Sequence, residues 1–323
     1  MVHLPRRLLS PILLTLLLAA CSGGETPPAA SEAMAVAPVA AEAGNLSGEV
    51  SLDGSSTVYP ISEAVAEEFQ ATAPDVRVTV GVSGTGGGFK RFLATETDIN
   101  DASRPISESE IADAATKGLE YLEIEVAFDG LSVVINPSNT WVDYLTVAEL
   151  KMIWQPGSTV DSWNDIRAEW PDQPIRLYGA GTDSGTFDYF TEVINGEAGA
   201  SRPDYTSSED DNVLVQGIEG DENAMGYFGY AYYFENMDKL KLVPIDSGNG
   251  PVAPNPTTIN DGTYNPLSRP LYIYLSKTGA AKPQVRAFVE FYLEIAPQIV
   301  SEVGYIALPA ADYETGKAAL AGF

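Results

Sequence analysis

The clearest structural signal in the chain is the segment Val76-Arg77-Val78-Thr79-Val80-Gly81-Val82-Ser83-Gly84-Thr85-Gly86-Gly87-Gly88. Valine at every second position is typical of a strand with one buried face. The glycines lead into a segment in which Phe89, Phe92 and Leu93 have helical spacing. The stretch therefore predicts a strand, a tight loop and the N-terminus of a helix.

Two further segments are built in the same way. Gly54-Ser55-Ser56-Thr57-Val58-Tyr59-Pro60 opens a segment in which Ile61, Val65 and Phe69 recur at helical spacing. Gly179-Ala180-Gly181-Thr182-Asp183-Ser184-Gly185-Thr186 follows an apolar run and precedes another apolar helical face (Phe187, Phe190, Val193 and Ile194). We call these the first and third joints, and Ser83–Gly88 the second. Alternating strand-like and helix-like segments predict an α/β fold.

Each joint combines glycines, hydroxyl side chains and a predicted helix N-terminus. The first amides of a helix have no partner within it, and the helix dipole adds partial positive charge there. Three such joints, if they converge, offer a donor-rich cage for a tetrahedral oxyanion. Each joint alone is more typical of an ordinary helix cap and turn, and only the three together favour an anion site.

The known phosphate-handling motifs are not present in these joints. No Gly-Lys pair is followed by Ser or Thr, as a Walker loop requires, and the pattern Gly-x-Gly-x-x-Gly fails at Phe89. The nucleophile elbow Gly-x-Ser-x-Gly fails at both Ser83 and Ser184. The joints are therefore predicted to hold an anion, not to cleave one.

The composition excludes several functional classes. The only histidine is His3 and the only cysteine is Cys21. The rest of the chain consequently has no Ser-His-Asp triad, no cysteine nucleophile, no histidine or cysteine metal site and no disulfide. The net charge of −27 argues against non-specific binding of nucleic acid. We therefore expect no enzyme, cofactor, metal or nucleic-acid partner.

The N-terminus predicts a processed leader. Arg6 and Arg7 precede an apolar run, Leu8–Leu18, that is too short to span a membrane. The run ends in Leu18-Ala19-Ala20-Cys21, which resembles a bacterial lipobox and predicts a signal peptide at 1–20 and lipidation of Cys21. The alternatives are ordinary cleavage after Ala20, an uncleaved anchor or a twin-arginine signal. Residues 21–46, rich in Ala, Pro, Gly and Ser, predict a flexible tether.

The joints and one further segment together identify a family. The first joint, Ser83–Phe89, Thr182–Phe187 and Asp98-Ile99-Asn100-Asp101-Ala102-Ser103-Arg104-Pro105-Ile106 resemble, in this order and spacing, the substrate-binding proteins of bacterial ABC phosphate importers, the PstS family. The resemblance implies a two-lobed periplasmic-binding-protein fold (type II, Venus-flytrap), each lobe a mixed sheet flanked by helices, with a double-strand hinge. Crossings near 127–134 and 247–266 suggest lobe I at 47–127 plus 266–323 and lobe II at 128–265.

The resemblance also implies which residues bind phosphate. They are Ser56, Thr57 and the amide of Val58, Ser83 and Thr85, Ser103 and Arg104, and Ser184, Gly185 and Thr186. Two positions depart from the family pattern. Arg104 stands where many members have an aspartate that accepts the phosphate proton, and Ala180 stands where many have an arginine. Arg104 therefore either supplies the missing guanidinium to the ligand or forms a salt bridge between the lobes.

Selection of phosphate over sulfate requires an acceptor for the phosphate proton. Asp101 and Asp183 are the nearest carboxylates on the ligand loops, and Asp101 is preferred because it lies in the loop of Arg104. Asp210, Asp211 or a backbone carbonyl are the alternatives. The acidic turn Glu209-Asp210-Asp211-Asn212 is interpreted as solvated or as a partner of Arg104 or Arg202, and the aromatic run Gly226–Phe234 as core of lobe II.

The predicted function is high-affinity binding of inorganic phosphate outside the cytoplasmic membrane and delivery to the permease and ATPase subunits of an ABC importer. The protein is expected to be a monomer that is held to a bacterial membrane through its lipid alone. The alternatives are a binding protein for another tetrahedral oxyanion such as sulfate, a phosphate-sensing surface lipoprotein and, least favoured, a phosphatase-like enzyme.

Overall fold

The computed structural model describes residues 46–182 and 184–323. The predicted signal peptide, Cys21, the tether except its last residue, and Asp183 lie outside the described residues. No helix in the described part combines the length and apolar character needed to cross a membrane.

The strands of the described part are β1 (Gly48–Gly54), β2 (Val76–Val82), β3 (Ile99–Ala102), β4 (Tyr121–Ile135), β5 (Leu145–Thr146), β6 (Arg176–Ala180), β7 (Thr206–Ser208), β8 (Ala224–Gly229), β9 (Lys241–Leu242), β10 (Ile245–Asp246), β11 (Pro251–Val252) and β12 (Ser268–Ser276). The helices are α1 (Tyr59–Thr72), α2 (Gly84–Leu93), α3 (Glu108–Lys117), α4 (Val147–Trp154), α5 (Gly185–Asn195), α6 (Asp211–Gly220), α7 (Tyr230–Glu235), α8 (Pro256–Asn260), α9 (Lys277–Ala280), α10 (Pro283–Glu302) and α11 (Ala310–Gly322), with a 3-10 turn at Trp163–Asp165.

The main sheet has the order β2-β1-β3-β12-β4-β8-β6-β7, and β9 pairs with β4. Strands β1, β2 and β3 are parallel, as are β6, β7 and β8, whereas β12 and β4 run antiparallel to their neighbours. A separate small sheet with the order β11-β10-β5 belongs to the half of the molecule that contains β6, β7 and β8. Both halves are mixed sheets flanked by helices, which is the two-lobed α/β fold that the resemblance implied.

Two strands connect the lobes. β4 pairs with β12 between Tyr121 and Gly130 and then with β8 from Leu131 onward, so this one strand belongs to both halves of the main sheet. The register shifts between Leu271 and Tyr272. A third segment crosses beside them, where Phe128 and Ile306 exchange backbone hydrogen bonds of 2.8 and 3.0 Å. The hinge is thus a short antiparallel ribbon with one flanking segment.

Each lobe has its own apolar core. In lobe I, helices α1 and α10 pack on the sheet, and the predicted face Ile61, Val65 and Phe69 is fully buried. The lobe I cluster extends to Ala127 and resumes at Leu271. The lobe II cluster includes the predicted face of α5. In the aromatic run, Tyr227, Phe228 and Tyr230 are buried there or against α6, whereas Tyr232 and Tyr233 are half-buried and Phe234 is exposed, so the run is only in part core.

The prediction that the alternating valines of β2 share one buried face is wrong in part. Val76 is buried, but Val82 is 54% exposed although the two were predicted to share a buried face. The reason is that β2 is an edge strand, paired only with β1 in the described part, and Val82 is its last residue, directly before the second joint. Alternation identified the strand correctly but overstated its burial.

Candidate functional site

A cavity of about 250 Å³ lies between the two lobes. Lobe I contributes the first and second joints and the loop after β3, and lobe II contributes one face of α5. Its lining residues are Ser55, Ser56, Thr57, Gly84, Thr85, Gly86, Ser103, Arg104, Asp188, Tyr189, Glu192, Ala198 and Arg269. The lining is therefore rich in hydroxyl groups and contains two guanidinium groups and two carboxyl groups.

The first joint is held against the end of β3. Gly54 has a φ of 149°, and a β-carbon there would overlap the backbone of Asp101. The Ser55 N–H donates to the Asp101 carbonyl at 2.9 Å, and the Thr57 N–H donates to Ser55 Oγ at 3.2 Å. Val58 is the buried N-cap residue of α1. The joint thus presents Ser56 and Thr57 to the cavity.

The second joint contributes Thr85 but not Ser83. Ser83 Oγ donates to Asp53 Oδ1 at 2.6 Å, and Ser83 is not a lining residue. Thr85 Oγ1 accepts from the Ser103 N–H at 3.1 Å and lies 3.0 Å from Ser103 Oγ. The loop after β3 and the second joint therefore present a paired set of hydroxyls.

The third joint touches the first. Ser184 is the N-cap of α5, and its Oγ accepts from the Thr186 N–H at 3.2 Å. Gly185 packs so closely that a β-carbon there would lie 2.6 Å from Thr57 Oγ1. Ser184, Gly185 and Thr186 flank the cavity without lining it, whereas the next turns of α5 do line it.

Arg104 is held by a carboxylate of its own lobe. Its Nη1 and Nη2 donate to the two oxygens of Glu110 at 2.9 and 3.0 Å, and Nη1 also donates to the Pro105 carbonyl at 3.0 Å. Burial raises the pKa of Glu110, but hydrogen bonds from Arg104 and Ser107 more than offset this and hold it below its ordinary value. The alternative of a salt bridge between the lobes is therefore wrong, because Glu110 lies on α3 of lobe I.

A second guanidinium, which the sequence analysis missed, belongs to the hinge. Arg269 on β12 donates through Nη2 to Thr57 Oγ1 at 3.0 Å and through Nη1 to the Ser103 carbonyl at 3.4 Å. Its Cζ lies 3.6 Å from the centre of the Tyr189 ring. Asp129, directly opposite on β4, accepts from it at 3.3 and 3.4 Å. The available signal was that Arg269 is the only charged residue of β12.

Two carboxyl groups on α5 face these guanidinium groups. Asp188 and Glu192 lie one turn apart, and both line the cavity. Burial raises the pKa of Asp188; the Arg269 charge opposes this shift and the Glu192 charge adds to it. Neither residue was predicted, because both lie on α5 beyond the glycines and hydroxyls of the third joint.

Of the two carboxylates predicted to accept the phosphate proton, only Asp101 is described, and it does not line the cavity. The Asp101 carboxyl is fully buried beside Ser62 in the interior of lobe I, where burial raises its pKa to about 7, and Asp101 does not line the cavity. Asp183 is outside the described residues. Asp210 caps α6 by accepting from the Asn212 N–H at 2.9 Å.

Arg104 and Arg202 form ion pairs with Glu110 and Asp204, which lie outside the acidic turn. Within the described residues, no group of three or more His, Cys, Asp or Glu side chains is arranged to hold a metal ion. The cavity therefore offers hydroxyl and guanidinium donors and two carboxylates, a set suited to an oxyanion that still carries a proton.

Comparison with known proteins gives consistent matches. A family model described as a PBP superfamily domain matches residues 38–294. The protein SphX of Synechocystis sp. is 50% identical over 274 residues, covering 84% of this chain and 82% of SphX. The phosphate-binding protein PstS of Staphylococcus saprophyticus is 38% identical over 303 residues, covering 93% and 88%. The crystal structure of a possible phosphate binding protein from Planctomyces limnophilus is 54% identical with a TM-score of 0.83, covering 86% of this chain and 99% of that one.

Proposed function

The chain belongs to the PstS family of substrate-binding proteins, and from this premise we propose that it binds inorganic phosphate for uptake by an ABC importer. The observation that carries the proposal is the cavity between the lobes, where two guanidinium groups and several hydroxyls meet. Arginine forks and hydroxyl donors match the tetrahedral oxygens of phosphate.

The donors divide between the lobes. In the proposal, Ser56, Thr57, Thr85, Ser103 and Arg104 bind the anion from lobe I, together with the Val58 amide. Ser184, Gly185 and Thr186 supply hydroxyls and the first amides of α5 from lobe II. Support comes from the contact between Gly185 and Thr57, which brings the start of α5 to the edge of the cavity. Ser83 donates a hydrogen bond to Asp53; in the proposal it holds the second joint in place and does not bind the anion.

The overall charge does not oppose this function. Exposed charges are screened beyond about 8–10 Å at physiological ionic strength, so the net charge of −27 has little influence inside a closed cleft. The groups in direct contact decide the affinity. Asp188 and Glu192 are then the carboxylates that meet the phosphate proton, in the role that the sequence analysis gave to Asp101 or Asp183.

Delivery and anchoring complete the proposal. The protein presents phosphate to a permease outside the cytoplasmic membrane, and Cys21 carries the lipid that keeps it at the membrane surface. The support for delivery is the family membership, and the support for anchoring is the lipobox-like sequence before Cys21.

The proposal is tested by calorimetric titration of the purified full chain, freed of bound anion, with phosphate, sulfate and molybdate. We expect phosphate to bind at least about tenfold more tightly than either competitor. Tighter binding of sulfate than of phosphate would instead identify a binding protein for another oxyanion. Absence of binding to all three anions would refute an oxyanion function.

A further inference from the structure

The hinge itself carries a charged pair beside the cavity. Arg269 and Asp129 are directly opposite each other in the antiparallel register of β12 and β4, so their side chains lie on the same face of the ribbon. The side chains are 13% and 4% exposed. A buried carboxylate requires a partner, and burial raises the pKa of Asp129 although the Arg269 charge opposes this.

Arg269 touches both lobes from this position. Thr57 and the Ser103 carbonyl, its hydrogen-bond acceptors in lobe I, belong to two different ligand loops. The Tyr189 ring, on which its guanidinium stacks, belongs to α5 of lobe II. One side chain thus contacts the hinge and the cavity walls of both lobes.

The two cavity guanidinium groups differ in how firmly they are held. Arg104 donates one hydrogen bond to each carboxylate oxygen of Glu110, at 2.9 and 3.0 Å. Arg269 reaches only one oxygen of Asp129, at 3.3 and 3.4 Å, which is longer than the about 2.7–2.9 Å of a strong charge-assisted bond. A guanidinium has five N–H donors in a planar fork. The four hydrogen bonds of Arg269, to Asp129, Thr57 and the Ser103 carbonyl, are 3.0–3.4 Å long, so one N–H is left over and the long bonds can be exchanged for bonds to an anion in the cavity.

We propose that Arg269 is an oxyanion-binding residue supplied by the hinge, and that Asp129 is the positioning residue that aims its guanidinium into the cavity. Because Arg269 contacts both lobes, binding of the anion to it also draws α5 toward the lobe I loops. Ligand occupancy and lobe closure are thereby coupled through one side chain. The inference rests on the proposed function for the identity of the anion.

The test replaces Arg269 with lysine, which keeps a positive charge for Asp129 but loses the planar fork and its stacking. The matched control is Arg167→Lys. Arg167 does not line the cavity but makes the same kinds of contact. It donates hydrogen bonds of 2.6 and 2.9 Å to Glu149, and its Cζ lies 4.5 and 4.7 Å from the ring centres of Tyr144 and Trp170. Phosphate affinity is measured by calorimetry and lobe closure by small-angle scattering, with the full chain.

We expect Arg269→Lys to weaken phosphate binding by about tenfold or more and to reduce the compaction that phosphate causes. Arg167→Lys should leave both unchanged even where it lowers the melting temperature. Equal phosphate affinity in Arg269→Lys and the wild type would overturn the inference.

Failure of the wild type to bind phosphate would refute the proposed function instead. In that case a scattering profile of ligand-free Arg269→Lys more open than that of the wild type supports the lobe contact, and an unchanged profile rejects it.

The role of Asp129 is tested separately through Arg269. Asp129→Asn should weaken phosphate binding in the wild-type background and have no further effect in an Arg269→Gln background, where no charge is left for Asp129 to position, since a positioning residue acts only through the group that it positions. Equal weakening in both backgrounds, or tighter binding, would reject the positioning role. Asp129→Glu should recover part of the affinity lost in Asp129→Asn, because it restores the carboxylate.

Discussion

Gly185 at the start of α5 lies directly against Thr57 of the first joint. A β-carbon on Gly185 would stand 2.6 Å from Thr57 Oγ1 and 3.0 Å from Thr57 Cα. The two residues are 128 positions apart and belong to different lobes. This contact brings a helix N-terminus of lobe II to the hydroxyls of lobe I, and it leaves no room for a side chain.

The first prediction concerns this contact. Gly185→Ala should weaken phosphate binding by about tenfold to a hundredfold, because the new methyl group meets the Thr57 backbone and keeps the lobes from closing. Gly220→Ala is the matched control, since a β-carbon there has no neighbour within 4 Å. Calorimetry gives the affinity and thermal unfolding gives the stability. A Gly185→Ala protein with the affinity of the wild type would show that the contact is not needed for closure.

The second prediction separates a ligand from a helix cap at Ser184. Loss of the cap should lower the stability by about 1 kcal/mol, and loss of a donor to a charged ligand should weaken binding by a further one to two orders of magnitude, or about 1.5–3 kcal/mol. Thr146→Ala removes a comparable cap, which accepts from the Glu149 N–H at 3.1 Å at the start of α4. Both variants should lose stability, and only Ser184→Ala should lose phosphate affinity. If Ser184→Ala and the wild type bound phosphate with equal affinity, Ser184 would be a helix cap and not a ligand.

The joints could be predicted because their signals are local. Alternating valines, consecutive glycines and helical spacing after each loop lie within about fifteen residues of one another, and backbone geometry acts over that range. The identity of Thr57, Thr85 and Ser103 as cavity residues followed from this pattern together with the resemblance. The sequence also identified α5 as the helix that lobe II brings to the cavity.

The charged residues of the cavity could not be predicted in the same way. Arg269 meets Asp129 only through a strand register that joins positions 140 residues apart. The direction of Asp101 depends on which face of the four-residue strand β3 turns inward, and all four of its residues are buried. Alternation of apolar and polar residues cannot show which way a side chain points when both faces of the strand are buried. Ser83 was misplaced because its partner, Asp53, comes from the neighbouring strand β1.

The third prediction follows from the buried carboxyl of Asp101, whose pKa burial raises to about 7. An aspartate of the unfolded chain titrates near about 3.9, so the folded protein binds more protons between these values. The free energy of unfolding should therefore fall as the pH rises from about 4 to 7, and Asp101 should cause no further change at higher pH. Asp101→Asn should flatten this slope and stabilise the protein at pH 8 by up to a few kcal/mol. Urea unfolding at pH 5 and pH 8 measures the effect, with exposed Asp75→Asn as control. An equal pH slope in wild type and Asp101→Asn would contradict the prediction.

The last prediction addresses how the cavity distinguishes phosphate from sulfate. Phosphate near neutral pH still carries a proton that an ionised Asp188 can accept, whereas sulfate offers none and is repelled. Asp188→Asn should weaken phosphate binding by about tenfold or more, strengthen sulfate binding, and so narrow the ratio of the two affinities. Asp238→Asn, an exposed change in the same lobe that does not line the cavity, should leave the ratio unchanged.

The pH dependence gives an independent check on Asp188. Burial raises its pKa, so its negative charge is lost at a higher pH than that of an ordinary aspartate. Sulfate should therefore bind the wild type more tightly as the pH falls through that raised value, because protonation removes the repulsion, and Asp188→Asn should lack this dependence. Both sulfate titrations are done by calorimetry across the acidic range. If the anion ratio and the pH profile of Asp188→Asn both match the wild type, the acceptor is a different group, and Glu192→Gln, one turn away on the same face of α5, becomes the variant that must change them.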